Sequence, residues 1–476
     1  MVDLGDRVLT DSCCHRLTVT GKRGRAEAGP SAGRDVRFWH RVLLWIKISL
    51  LPIRPGVTDH SDSRGGRRAF TCGGETMPTI GFIRAQSLDQ VMTARRGQTT
   101  GFDYLRIGLS LAVLVVHCLW LASTAGWTWL WSSWPGPVER SVLPAFFILS
   151  GFLVIGSLFR NTTPQFVALR LVRLIPALSV EVVLTALGLG LAFTTLPVAA
   201  YLMAPEFHAY FLNIIGLIHY TLPGVFGGKQ LNVQLWTIPY ELECYVMLIS
   251  LALLGITRRR KLFLAMVVAG AVTGSLMSWW QHWPTLQSVV SGRSLVLAFL
   301  AGVAMYLFKD RVPYNKYLFL GACAATYLLF AVPHLSYLGM LPLAYATVYV
   351  GNLKLPRVPF GDLSYGVYLF HFPIAMTVHH LTKGAIAWWE LTLIVTVLSG
   401  AFAFGSWTFI EAPMLRRKND VLVAADRITA RARTLMGLDM GTIRAGHIIP
   451  RAAAVAPAMA MVPEAAMASA PVADAV

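Results

Sequence analysis

The 476-residue sequence predicts an all-α, polytopic transmembrane helix bundle of about ten spans plus one re-entrant segment. Three observations carry that fold class. Hydrophobic residues make up 55% of the chain and charged residues 14%, the balance of a membrane protein rather than a soluble enzyme. Apolar runs of bilayer-crossing length recur from Phe102 to Ile410. The lysines and arginines behind the net charge of +17 fall in short clusters between those runs, so the basic excess marks topology and not nucleic-acid binding.

The predicted spans are Tyr104 to Leu121, Val142 to Phe159, Leu174 to Phe193, Ile238 to Ile256, Leu262 to Trp280, Leu295 to Phe308, Tyr317 to Val332, Tyr337 to Val350, Tyr365 to Leu381 and Trp389 to Ile410. Basic residues gather on one side of this order, at Arg95 and Arg96, at Arg160, Arg170 and Arg173, from Arg258 to Lys261, at Lys309, Arg311 and Lys316, at Lys354 and Arg357, and from Arg416 to Lys418. The positive-inside rule then puts both termini in the cytoplasm. The apolar piece from Tyr210 to Phe226 breaks that parity if it crosses. It is expected instead to be re-entrant or interfacial, where irregular backbone survives only against protein or a wet cavity. Tryptophans at 127, 129, 131 and 134 and at 279, 280 and 283 read as an aromatic belt at the outer interface.

Residues 1–100 form a polar, Arg-, Gly- and Ser-rich extension unlike the rest. One reading makes Phe38 to Leu51 a basic helix lying on anionic lipid. The favoured one places the true start at Met77. Residues 101–418 form the membrane domain, and 419–476 a short amphipathic helix followed by an Ala-, Pro- and Met-rich cytoplasmic tail without core-forming residues. The six cysteines show no metal-ligand or disulfide spacing, and Cys118, Cys244 and Cys323 sit inside apolar runs as small hydrophobes.

Ionisable groups inside apolar spans are expensive unless paired or set in a polar cavity, so they mark function. His117 lies eleven residues after Arg106, roughly 16 Å along a helix and half a bilayer deep. Glu181, Glu241, Glu243, His371 and Glu411 add to the set. Arg170 and Arg173, three apart, share a helix face. Together with Arg106 they sit at predicted cytoplasmic span ends, where guanidinium forks hold phosphate bidentately; topology marking is the alternative reading for each.

Six stretches in this order resemble the membrane acyltransferase-3 family, integral membrane O-acyltransferases. They are Phe102-Asp103-Tyr104-Leu105-Arg106 with His117; Phe146-Phe147-Ile148-Leu149-Ser150-Gly151-Phe152; Arg170 and Arg173 leading into Ile175-Pro176; Trp236-Thr237-Ile238-Pro239-Tyr240-Glu241 with Tyr245; Ser364-Tyr365 through Tyr368 to His371; and Glu411-Ala412-Pro413. The stretch Pro239 to Tyr245 is most similar to exopolysaccharide-acetylating members. The amino-terminal extension has no counterpart in the family pattern, and the fused esterase-like domain of some members is missing.

The resemblance implies transfer of an acyl group, acetyl by expectation, from acyl-CoA to a hydroxyl of a cell-surface carbohydrate or lipid-linked sugar, in a bacterial inner membrane. It implies no bound cofactor and no metal, acyl-CoA as co-substrate, membrane lipid around the bundle, and polysaccharide biosynthesis or export proteins as partners. His117 becomes the essential residue, as general base or transient acyl carrier. Glu241 orients that ring or the acceptor, and Arg106, Arg170 and Arg173 hold the donor phosphates. Asp103, Ser150, Trp236, Tyr245, Tyr368, His371 and Glu411 support the site. The rival classes are a proton-coupled secondary transporter, which calls for internal repeats that the sequence does not display, and a polysaccharide-export subunit.

Overall fold

The computed structural model describes residues 86–95, 100–285, 290–359 and 361–435. The interfacial helix expected over Phe38 to Leu51, the start at Met77 and the tail beyond 435 lie outside the described residues. Within them the chain is helical, with two isolated β-bridges, Ser87 to Pro313 and Thr194 to Val225.

Helix α1, Leu88–Ala94, is opened by a capping box between Ser87 and Gln90. The main helices follow as α2, Gly101–Ala122; α3, Thr124–Ser132; α4, Val142–Arg160; α5, Thr163–Val183; α6, Ile238–Leu253; α7, Arg260–Trp280; α8, Gly292–Leu307; α9, Lys316–Ala331; α10, Met340–Gly351; α11, Ser364–Leu381; α12, Trp388–Ser406; and α13, Lys418–Leu435. A compact unit ends at Arg431.

Five helical stretches are long and apolar enough to cross a membrane, namely Gly101–Ala122, Gly136–Arg160, Thr163–Phe193, Arg260–Trp280 and Trp388–Arg416. The sequence predicts ten. The difference lies in shorter or more polar helices: α6, α8 and α9 have 16 residues each and α10 has 12. Helix α11 has 18 residues but carries Tyr365, Tyr368, His371, His379 and His380, which lower its apolarity. The segment from Tyr210 to Phe226 is no continuous helix. It runs through a short 3-10 turn, Phe211–Ile215, reverses at Gly216 with φ 83° and continues irregularly, with Tyr210 and Asn213 fully buried.

Helices α4 and α8 pack at backbone contact. A Cβ on Gly151 would stand 2.0 Å from the Phe299 carbonyl oxygen, and one on Gly302 would stand 2.0 Å from that of Ile148. Each glycine makes room for the other helix, and Ile148, Ile155, Phe299 and Val303 close the core around the contact. The outer faces of α7 and α12 are apolar and unpaired, with Leu262, Val268, Val272 and Leu276 exposed on one and Leu393, Val397, Phe402 and Phe404 on the other. Such faces suit hydrocarbon better than water.

Two helices align the interior. Arg106 on α2 meets Asp362 just before α11, and His117 meets His371, so α2 and α11 run side by side in the same direction. Helix α5 joins them, because the Tyr365 hydroxyl donates to the Leu174 carbonyl at 2.9 Å.

Candidate active site

The site is a line of polar residues between α2, α5, α6 and α11. At one end Asp362 accepts from Arg106 Nη1 at 3.1 Å and also from Arg173. Arg173 reaches Glu411 as well, at 3.5 Å. Glu411 is buried in a π-helical turn, Trp407–Glu411, that continues α12, and its Oε1 accepts from Ser406 at 3.3 Å. Such local unwinding places a carboxylate where a regular helix would carry it past. Ser364 donates to Asp362 from both its hydroxyl and its backbone N–H, so Asp362 caps α11 while gathering the arginines. Burial pushes the Asp362 carboxyl up, but Arg173 and Arg106, with the Ser364 bonds, outweigh it and hold it below the usual carboxylate range.

Arg106 and Arg173 keep 28% and 23% of their side-chain surface accessible, enough to meet a further anion. Arg170 makes no ion pair with Asp362 or Glu411. Its guanidinium lies 5.9 Å from the Phe166 ring centre, and its buried Nε lacks a hydrogen-bond partner. Asp103 lies within electrostatic reach of Arg106, Arg173 and Asp362 but makes no direct bond to them.

Helix α6 runs antiparallel to α11. The Thr237 and Tyr368 hydroxyls are 2.7 Å apart, and Glu241, one turn along α6, comes to the level of Tyr365. Glu241 accepts from the Tyr245 hydroxyl, which is also in bonding reach of Ser150. Its charge acts on Arg170, Arg173 and Arg106. Glu241, expected from sequence to orient the His117 ring or the acceptor, thus lies within electrostatic reach of the three arginines. Trp236 packs edge-on to Tyr240 with ring centres 5.8 Å apart.

At the far end His117 Nδ1 and His371 Nε2 are 2.7 Å apart, with the ring planes within 7° of parallel and the ring centres 5.1 Å apart, so the two rings meet edge to edge. Phe372 closes the His117 ring edge-on at 5.2 Å. His371 is fully buried, whereas His117 is partly buried. His371 Nδ1 meets two carbonyls of its own helix, Tyr368 at 2.8 Å and Val367 at 3.1 Å. The next turn carries Pro373, which has no N–H to give the Leu369 carbonyl. Gln234 supplies the missing donor, its Nε2 lying 2.7 Å from that oxygen. A kink-prone position beside the histidine pair is thereby tied to the chain before α6.

Three contributors escape sequence reading: Asp362, Gln234 and Thr237. Asp362 leaves a faint signal, an Asp two residues before the Ser that opens a helix. Gln234 leaves none, and Thr237 only its membership of the Trp236 to Glu241 stretch, since their partners lie more than 130 residues away. Among the described residues, no group of three or more His, Cys, Asp or Glu side chains is arranged to hold a metal ion.

The arrangement pairs cations able to grip an anion at one end with an imidazole some three helical turns away. A family profile described as an acyltransferase domain matches residues 99–411. Nodulation protein 10 of Rhizobium leguminosarum bv. viciae is 28% identical over 370 residues, which cover 68% of this chain and 96% of the relative. No solved structure matches the chain.

Proposed function

The chain belongs to the acyltransferase-3 family, and from that premise we propose that it moves an acyl group from acyl-CoA to a hydroxyl of a cell-surface carbohydrate such as exopolysaccharide. Acetyl is the expected group. The observation that carries the reading is the separation of functions along α2: Arg106 at one end, beside Arg173, and the His117 ring about 16 Å further along the same face. That spacing suits a donor whose phosphates are held by guanidinium groups while its flexible thioester arm reaches inward.

In this reading Arg106, Arg170 and Arg173 hold the donor phosphates. Asp362 and Glu411 keep two of the guanidinium groups in place before the donor arrives. His117 takes the proton of the acceptor hydroxyl, or carries the acyl group in passing. Glu241, Tyr245 and Ser150 form a hydrogen-bonded group between the two ends that fixes the donor arm or the acceptor. The arginine end faces the cytoplasm, where acyl-CoA is made, and both termini lie on that side of a bacterial inner membrane, with ten crossings counting the shorter helices.

The test compares exopolysaccharide from cells with the intact protein, with His117→Ala and without the gene, counting ester-linked acyl groups by proton NMR. Esters lost in both the variant and the deletion support the reading. Esters retained by a well-expressed His117→Ala protein remove His117 as the reacting group.

A further inference from the structure

We infer that His371 is a positioning residue that fixes the proton of His117 on Nδ1 and leaves His117 Nε2 as the nitrogen that meets the acceptor hydroxyl. This rests on the acyl-transfer reading above. The argument starts from what each partner can do. The carbonyls of Tyr368 and Val367 only accept hydrogen bonds, so the His371 nitrogen 2.8 and 3.1 Å from them carries a hydrogen. A neutral imidazole has one N–H, so His371 Nε2 presents a lone pair. His371 is fully buried, and its contacts are helix carbonyls, the His117 ring and the rings of Tyr368 and Phe372, with no carboxylate among them. The uncharged ring is the form that such surroundings tolerate.

His117 Nδ1 lies 2.7 Å from that lone pair, too close for two bare nitrogens. It therefore donates, and the single N–H of His117 is spent on His371. The remaining nitrogen, Nε2, is therefore bare. This is the logic by which a buried acceptor holds a catalytic imidazole in one tautomer, with a helix-anchored histidine in place of a carboxylate.

The chemistry then balances. The acceptor oxygen attacks the thioester carbon and its proton passes to His117 Nε2. The C–O bond forms, the C–S bond breaks, and the departing thiolate takes the proton from Nε2 to leave a free thiol and a neutral ring. While His117 is charged, its Nδ1–H stays on His371. If His117 carries the acyl group instead, the same Nε2 lone pair is the nucleophile. Pro373 and Gln234 belong to the device, because the Gln234 bond to the Leu369 carbonyl steadies the turn whose other carbonyls hold His371.

The test pairs two substitutions at one position in the full-length protein. His371→Gln places an amide oxygen near the former Nε2, whereas His371→Phe keeps a flat ring without an acceptor. His371→Gln is expected to retain kcat within about tenfold and His371→Phe to lose about 10²- to 10⁴-fold, with KM for acyl-CoA unchanged. Equal activity of His371→Phe and the unaltered protein overturns the inference. Nitrogen-15 NMR of histidine-labelled protein decides even if His371→Phe does not fold, the His117 signals being assigned by their loss in His117→Gln. A proton on His117 Nδ1 supports the inference, and a proton on Nε2 overturns it. Full activity of His117→Ala would instead sink the acyl-transfer reading while leaving the tautomer result standing.

Discussion

Arg106 and His117 stand eleven residues apart on α2, and eleven steps of 100° bring the second side chain to within about 20° of the first. One helix face therefore carries a cation at its start and an imidazole three turns later. The chain at α11 runs beside it, with Asp362, just before the helix, against the arginine and His371, nine residues on, against the histidine. The two helices act as one ruler, since a shift of either would break both contacts.

The ruler predicts how the arginine end contributes. Arg106→Gln should raise KM for acyl-CoA by about tenfold or more, the worth of one charge-assisted contact, with a smaller effect on kcat. An acyl-pantetheine without phosphate groups should be used equally well by the variant and the unaltered protein. Steady-state rates with the two donors check this. A matching loss with acyl-pantetheine would mean that Arg106 holds the helices and not the donor.

The two buried acids separate in the same way. Glu241 is half-buried, bonded to Tyr245 and directed at three arginines. Glu181 is fully buried among Leu178, Val182 and Tyr210, accepting from Thr185 at 2.9 Å. Glutamine can keep each hydrogen bond while removing the charge. Glu241→Gln should lower kcat/KM by about 10- to 100-fold, whereas Glu181→Gln should stay within about threefold. Radiolabelled acyl transfer into polysaccharide by membranes matched for protein content checks both, and a larger loss at Glu181 would move the site toward the Tyr210 side of the bundle.

What the sequence reveals here follows the range of the physics. The helical class is legible because apolar runs are local signals. The count of crossings is less so, since α8, α9 and α10 read as spans from apolarity but form helices of 12 to 16 residues. Pairing is not local at all. The sequence offers Glu241 to orient the His117 ring or the acceptor, and gives no sign that His371 meets that ring from 254 residues away. Asp362, which no apolar run frames, gathers Arg106 and Arg173 from 256 and 189 residues away. Gly151 is legible as part of a motif, but its reason, a carbonyl of α8 where its Cβ would stand, exists only once two helices meet.

Asp362 gives a stability prediction with a definite sign. Its carboxyl is raised by burial and lowered further by Arg173, Arg106 and Ser364, so its folded value lies below that of the unfolded chain, about 3.9. The stabilisation is present above that unfolded value and is lost as pH falls through the folded one. Asp362→Asn should cost about 1–3 kcal/mol at neutral pH, below the 3–5 kcal/mol of a fully buried pair because both arginines remain partly accessible. Thermal unfolding of the purified protein in detergent checks this. The gap in Tm between the unaltered protein and Asp362→Asn should be constant from neutral pH down to about 4 and should shrink below it. A gap that widens on acidification would mean that Asp362 is not the charged partner of the two arginines, and that another group holds α2, α5 and α11 together at that end.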